Sequence, residues 1–400
     1  MIAKLSLIAA VMALASTTTA ATTTTSASAT ASPSAVPAAI IPVPAFNGTF
    51  ANDYPTLYEI APTNTTLVKQ WLAELNMTAV PSFPVVPFTA SGNPVSTSSI
   101  PAAACDWTVT NCINKDLTVC PLGVWGLTYD DGPTEFSTQL YDFLDKTDQK
   151  ATLFYIGTNV VQNWQAAQRA CGAGHQIAVH TWSHNPSTSL TNEQFVAEVK
   201  YTEMAIKELC GFTPKYFRPP YGDIDNRIRG LLWAMGYTSV IWDYDTNDWQ
   251  LPPGGGGMTP AKEDQEFATW IAAAKNDTTG HITLQHELYQ ATVDEAIINL
   301  PKVQATWKTM PVSACMNDPH PYRETNITLA TLNGTVAGVN TGSTTTTTNT
   351  TSSAGASSTS TSSTSTTGGK SSGASAALSG EMTAFVMVAA AAVAVSQMLI

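Results

Sequence analysis

From about residue 105 to 320 the chain alternates short apolar runs with patterns of helical period. The runs at 124–129, 151–156, 176–180, 215–218, 239–243 and 281–286 are four to six residues long and bounded by turn residues, which predicts strands. Between them the helical signals are explicit. Thr191 with Gln194 three residues on forms a capping box, Phe195, Val199, Thr202, Ile206 and Leu209 share one face, and Gly211 supplies the stop. Asp225 opens a second helix that turns Ile228, Leu231, Leu232 and Met235 inward and ends at Gly236. Strand then helix, repeated about six times within about 200 residues, predicts one α/β domain rather than two. The expected form is a distorted, incomplete (β/α) barrel whose active site sits at the carboxyl ends of its strands. Residues 46–104 carry one short predicted helix, 66–75, among prolines, and read as an extension leaning on that domain.

The flanks are different material. Residues 1–20 place Lys4 before an apolar run and end in small residues, the pattern of a secretory signal peptide. Residues 21–104 begin as a Ser/Thr/Ala/Pro arm, and residues 321–372 are expected to be a Ser/Thr-rich stalk unable to bury enough apolar area to offset chain entropy. Residues 373–400 follow small residues with a spacer and an uncharged apolar end lacking any basic residue after it. That predicts a cleaved signal for a GPI lipid, hence attachment to the outer face of the plasma membrane, with transfer to the cell wall open. Sequons at Asn47, Asn64, Asn76, Asn276, Asn326, Asn333 and Asn349 agree with an exported chain. With 18 Lys and Arg against 30 Asp and Glu, the net charge is −12, and no basic run exists to neutralise phosphates, so nucleic-acid binding is excluded. The six cysteines imply disulfides; Cys105 and Cys315 bracket the domain and are expected to tie its ends, with Cys112 and Cys120 closing a local loop. No Cys-x-x-Cys pair argues for cysteine-bound metal.

The polar residues that break the apolar pattern fall at strand ends. Asp130 and Asp131 follow the first run, His180 and His184 the third, Arg218 the fourth, Asp245 and Asp248 the fifth, and His286 ends the sixth. His180 and His184, four apart, become neighbours if the chain turns helically, and two imidazoles with one carboxylate form a ligand set for a catalytic divalent ion. Thr128-Tyr129-Asp130-Asp131-Gly132-Pro133 offers that carboxylate and a second one beside it. Taken singly, a His-x-x-x-His pair reads as incidental histidines, Asp-Asp-Gly-Pro as a polar turn, and His286 as a satisfied buried histidine. Arg218-Pro219-Pro220-Tyr221-Gly222 fixes a rigid backbone after an arginine, and Asp243 to Trp249 gathers acids beside an aromatic.

Together, and in this order, these segments resemble the polysaccharide deacetylases of carbohydrate esterase family four. The signal peptide, stalk and anchor resemble the fungal chitin deacetylases. The resemblance covers about half of the chain. It implies Asp130 as general base, Asp131, His180 and His184 as ligands of one zinc or cobalt ion, and Arg218 as the group that orients Asp130. It further implies Tyr221 as an oxyanion donor through its main-chain N–H, Trp249 and Leu284 as walls of the acetyl pocket, and His286 as general acid. Asp248 is expected to hold His286, with Asp245 second. Tyr129 where Phe is more usual, and Glu287 where Asp is common after the histidine, depart from the family pattern. The implied activity is metal-assisted removal of N-acetyl groups from β-1,4-linked N-acetylglucosamine in chitin, by a monomer. Deacetylation of O-acetyl polysaccharides such as xylan, and non-catalytic carbohydrate binding on an anchored stalk, are the competing expectations.

Overall fold

The computed structural model describes residues 41–89, 100–251 and 256–327. The signal peptide, the arm as far as residue 40, the stalk beyond 327, the anchor signal and the sequons at Asn333 and Asn349 lie outside the described residues.

Among the described residues, nine short strands form two parallel sheets. They are β1 (Val124–Gly126), β2 (Thr128–Gly132), β3 (Thr152–Tyr155), β4 (Gln176–Val179), β5 (Tyr216–Phe217), β6 (Thr238–Ser239), β7 (Tyr244–Asp245), β8 (His281–Leu284) and β9 (Lys308–Met310). One sheet has the order β7-β8-β1-β9, the other β2-β3-β4-β5-β6. The apolar run at 124–129 is therefore two strands. It breaks at Leu127, whose N–H donates to Met310 O while its carbonyl accepts from Thr152 N, both at 2.9 Å. The run predicted at 239–243 contributes only Ser239 to a strand: it lies between β6, which pairs β5, and β7, which starts after it at Tyr244 and pairs β8. The parallel bridge Asp130 to His286 links the two sheets, and a second bridge sets Leu117 against Val240 just past β6. The result is the parallel α/β architecture expected, bent into an incomplete barrel.

Every residue of β2, β3, β4 and β8 is buried, as parallel strands with both faces covered must be. The covering helices match their sequence signals. Thr191 and Gln194 make the capping box of the helix Asn192–Cys210, which ends at Gly211 with φ 83°. Its Phe195, Val199, Ile206 and Leu209 are fully enclosed, each contributing roughly 1.5–3 kcal/mol relative to exposure. Asp225 caps the helix Asn226–Ala234 by accepting from Ile228 N. Strand β9 was not anticipated: Lys308-Thr309-Met310 is too short and too polar to show a strand pattern, and it is specified by pairing with β1.

The extension does more than lean. Its helix Thr66–Glu74, capped by Thr65, sets Trp71 edge-on against Tyr201 at 5.1 Å, and Tyr54 stacks on the buried Trp182 at 5.7 Å. At the other end the folded chain continues past residue 320: Tyr322 stacks on Phe212 at 3.9 Å and its hydroxyl accepts from Ile177 N. The disulfide expectation is corrected. Cys105 bonds Cys112, Cys120 bonds Cys315, and Cys171 bonds Cys210. Cys120 wins Cys315 because it lies just before β1, and β9 runs beside β1 into the helix Val312–Cys315; a turn of helix, Trp107–Thr110, brings Cys105 back to Cys112. Among the described residues no helix is long and apolar enough to cross a membrane.

Candidate active site

Strand β2 delivers two carboxylates side by side. Successive side chains of a strand point to opposite faces, but Asp131 has φ 70°, and the register of β2 against β3 shifts between Asp130 and Gly132. That irregularity lets both acids serve one cleft. The His180–His184 segment, after β4, turns with Thr181 at φ 64° and His184 at φ 59°, and brings both imidazoles onto Asp131. Asp131 Oδ1 lies 3.4 Å from His180 Nε2 and 3.2 Å from His184 Nε2. Positive φ at non-glycine residues costs of order 1–3 kcal/mol each and concentrates at functional sites. Tyr221 (φ 61°) and Asn247 (φ 52°) extend the same cluster.

The donor set fits a divalent cation. Asp131 Oδ1 is buried and accepts no hydrogen bond within the described residues, although two ring nitrogens face it. His180 Nδ1 is 2.6 Å from Arg218 O. Because a carbonyl can only accept, Nδ1 carries the proton and Nε2 presents a lone pair, the tautomer a metal ligand needs. Burial alone would raise the Asp131 pKa, but the neighbouring His184 and His180 imidazoles hold it well below the usual carboxylate range. One ligand atom from each of the three residues lies within 4.8 Å of the others.

Asp130 is placed between a cation and this cluster. Its Oδ1 accepts from Arg218 Nη1 at 2.8 Å, and its Oδ2 is 3.8 Å from His180 Nε2. Arg218 is fully buried; it also donates to Thr128 Oγ1 at 2.7 Å and to Thr283 O at 3.3 Å, and it lies 4.3 Å over the Phe154 ring. Across the seam, Asp130 N donates to Gln285 O and Glu287 N donates to Asp130 O, so His286 stands on the adjacent strand end. His286 Nδ1 donates to Asp248 Oδ1 at 2.5 Å, and its main-chain N–H donates to Asp248 Oδ2 at 2.8 Å. Burial pulls the His286 pKa down, but Asp248, with Asp131 and Asp130 beyond it, pushes it up to about 10. Asp245, the other candidate for this task, instead accepts from Asn247 N at 2.8 Å.

The remaining predicted residues surround this centre. Tyr221 is 44% exposed, with its ring 4.8 Å from that of His184, and the N–H groups of the next two residues turn back onto Pro219 O and Pro220 O. Trp249 is half-buried on the turn Asp248–Gln250, and the buried Leu284 ends β8 beside Asp245. Sequence reasoning gave no part to Thr128, to Asn159, whose Nδ2 donates to Asp131 O at 2.7 Å, or to the enclosed Glu287. Glu287 carried a signal, a charge next to a strand-end histidine; burial pushes its pKa up to about 8 against the pull of Ser137 and Tyr141.

The polysaccharide deacetylase family model matches residues 121–240. The chain is 40% identical over 305 residues to a chitin deacetylase of Amylomyces rouxii, covering 71% of each protein. It belongs to the polysaccharide deacetylase family. Chitin deacetylase 1 of Cryptococcus neoformans is also 40% identical, over 310 residues, and the match spans 73% of this chain and 64% of that protein's length. A solved structure of the chitin deacetylase from Colletotrichum lindemuthianum superposes with a TM-score of 0.46 at 26% identity, covering 52% of this chain and 95% of that one.

Proposed function

We propose that this deacetylase hydrolyses the acetamide of β-1,4-linked N-acetylglucosamine in chitin, as a monomer, giving chitosan and acetate. The observation that carries the reading is the pairing, across one strand seam, of an arginine-held carboxylate and a carboxylate-held imidazole beside a two-histidine, one-aspartate cluster. Asp131, His180 and His184 would hold one zinc or cobalt ion, which supplies Lewis-acid polarisation of a carbonyl and acidifies water when bound. Asp130, its lone pairs aimed by Arg218, takes a proton from the attacking water. The Tyr221 N–H donates to the carbonyl oxygen as it gains charge, a contribution of about 3 kcal/mol for such donors. As the C–N bond breaks, His286 gives its Nε2 proton to the departing amine, and the water oxygen leaves in acetate. Without that proton the amine would depart as an anion. Trp249 and Leu284 wall the acetyl methyl.

Asp130→Asn keeps the shape and the Arg218 contact and removes the base. Acetate release from chitin oligomers should fall by about 10²–10⁴ with the melting temperature nearly unchanged; undiminished release would refute the assignment. A chelator should abolish release from the wild-type chain, and added zinc or cobalt should restore it. Faster acetate release from acetyl-xylan than from chitin oligomers would move the substrate to O-acetyl esters. We also propose an outer-surface location for the enzyme, as the expected signal peptide and GPI signal imply; the reading is supported by three disulfides, which persist in oxidising compartments.

A further inference from the structure

Glu198 lies on the second turn of the helix Asn192–Cys210 and is fully buried, yet among the described residues no arginine or lysine forms an ion pair with it. Its carboxylate is instead enclosed by N–H and O–H donors. Oε2 accepts from Trp182 N at 2.9 Å and Ser183 N at 2.7 Å; Oε1 accepts from Ser183 Oγ at 2.9 Å and Ala61 N at 2.8 Å. Trp182 and Ser183 stand between His180 and His184. Three of the four bonds therefore fall on the loop that carries both histidines, and the fourth comes from the segment before residue 90.

That loop needs support. Thr181 and His184 both hold positive φ, a costly conformation that persists only where the surroundings over-determine it. Other contacts fix the flanks: Gly157 N donates to Thr181 O and Thr158 N to Trp182 O, while Trp182 Nε1 donates to Thr56 O. A β-carbon at Gly157 would lie 2.5 Å from the Trp182 ring, so the loop is also tightly packed from beneath. Among the described residues, only Glu198 accepts from the main-chain N–H groups of the two residues at the loop's centre, Trp182 and Ser183. A buried carboxylate without a cation is tolerated when several donors satisfy it, and here the donors are those whose positions set the spacing of the two imidazoles.

We propose that Glu198 is a positioning residue for the metal site: it fixes the His180–His184 loop so that both Nε2 atoms face Asp131, and through Ala61 it makes segment 41–89 part of that support. The proposal rests on the reading of Asp131, His180 and His184 as metal ligands. Glu198→Gln places an amide NH₂ among N–H donors, so at least one of the four bonds is lost. Ser183→Ala removes one of the four bonds, together with the bond that Ser183 Oγ accepts from Asn185 Nδ2, and leaves the three main-chain donors to Glu198 in place. Zinc dissociation constants of the full chain, from competition with a chromophoric chelator, are compared with urea midpoints of the metal-free proteins. The expected result is zinc affinity about 10–100-fold weaker in Glu198→Gln, as for other groups that orient ligands, and a smaller loss in Ser183→Ala. A carboxylate that serves the fold alone would lower the urea midpoint and leave the zinc constant of both variants at the wild-type value, which overturns the proposal. If Glu198→Gln does not fold, Ser183→Ala decides in the same way. A wild-type chain that binds no zinc would instead sink the metal-site reading beneath it.

Discussion

Asp248 decides the charge of His286. In a buried site an imidazole would ordinarily shed its proton, but the charge of Asp248, its bond to the ring Nδ1 and the nearby Asp131 and Asp130 push the pKa up to about 10. The sign of the pH dependence follows. A histidine whose pKa is raised in the fold is protonated throughout the neutral range, and it loses that form as pH rises through the raised value. An acid catalyst at this position therefore fails on the alkaline side. In Asp248→Asn the main support of the charge is gone, so the alkaline limb of kcat against pH should move to lower pH, with kcat at neutral pH reduced. An alkaline limb that stays in place in the variant would mean that another group sets it. The choice between Asp245 and Asp248 could not be decided from the sequence alone, because both follow the same predicted strand, three residues apart. Asn247 at φ 52° settles it by turning Asp248 inward, and left-handed asparagines leave no reliable trace in a single sequence.

Strand β2 shows what apolar patterning conveys and what it omits. Its end was legible, since carboxylates interrupting an apolar run must face something other than the core. Its beginning was not, because Leu127 is as apolar as its neighbours and the break there is fixed by Met310 and Thr152 on other strands. Strand β9 and the pairing of Cys120 with Cys315 were invisible for the same reason: both depend on contacts distant in sequence. The β2 end is tightly fitted. A β-carbon on Gly132 would lie 1.9 Å from Glu287 Oε1, so Gly132→Ala should displace the strand end, costing about 1–3 kcal/mol as overpacked sites do, and weaken zinc binding by Asp131 next to it. Pairing it with Glu287→Ala should recover stability in urea melts; no recovery would place the strain elsewhere. At the starts of β3 and β4, His175 Nδ1 accepts from Ala151 N at 3.3 Å, and burial, reinforced by Lys150 and Arg169, lowers its pKa to about 3. A depressed histidine is neutral in the fold while the unfolded chain binds a proton below pH about 6.5. Stability should therefore fall between that pH and about 3, by up to about 1.4 kcal/mol per pH unit. His175→Asn, whose side-chain oxygen can replace Nδ1 as acceptor, should show a shallower fall.

The first and last strands, β1 and β9, lie side by side. Cys120 precedes β1, Cys315 closes the helix that follows β9, and Gly126 of β1 leaves room for the bond, since a β-carbon there would sit 2.9 Å from Cys120 Sγ. The disulfide ties the segment before β1 to the helix that follows β9, the edge strand beside β1. Its sequence separation is 195 residues, against 7 for Cys105–Cys112. Cross-linking removes conformations from the unfolded chain in proportion to the logarithm of loop length, which gives about 5 kcal/mol for the long loop and about 2 kcal/mol for the short one. Replacing Cys120 and Cys315 together by serine should thus cost clearly more in urea unfolding than replacing Cys105 and Cys112. The zinc constant should be nearly unchanged in both variants, because neither bond touches the His180–His184 loop or Asp131. Equal losses would show that native packing around the sulfurs, rather than loop closure, dominates. A zinc constant weakened in the first variant alone would show that the seam at β1 is mechanically continuous with Asp131 on β2.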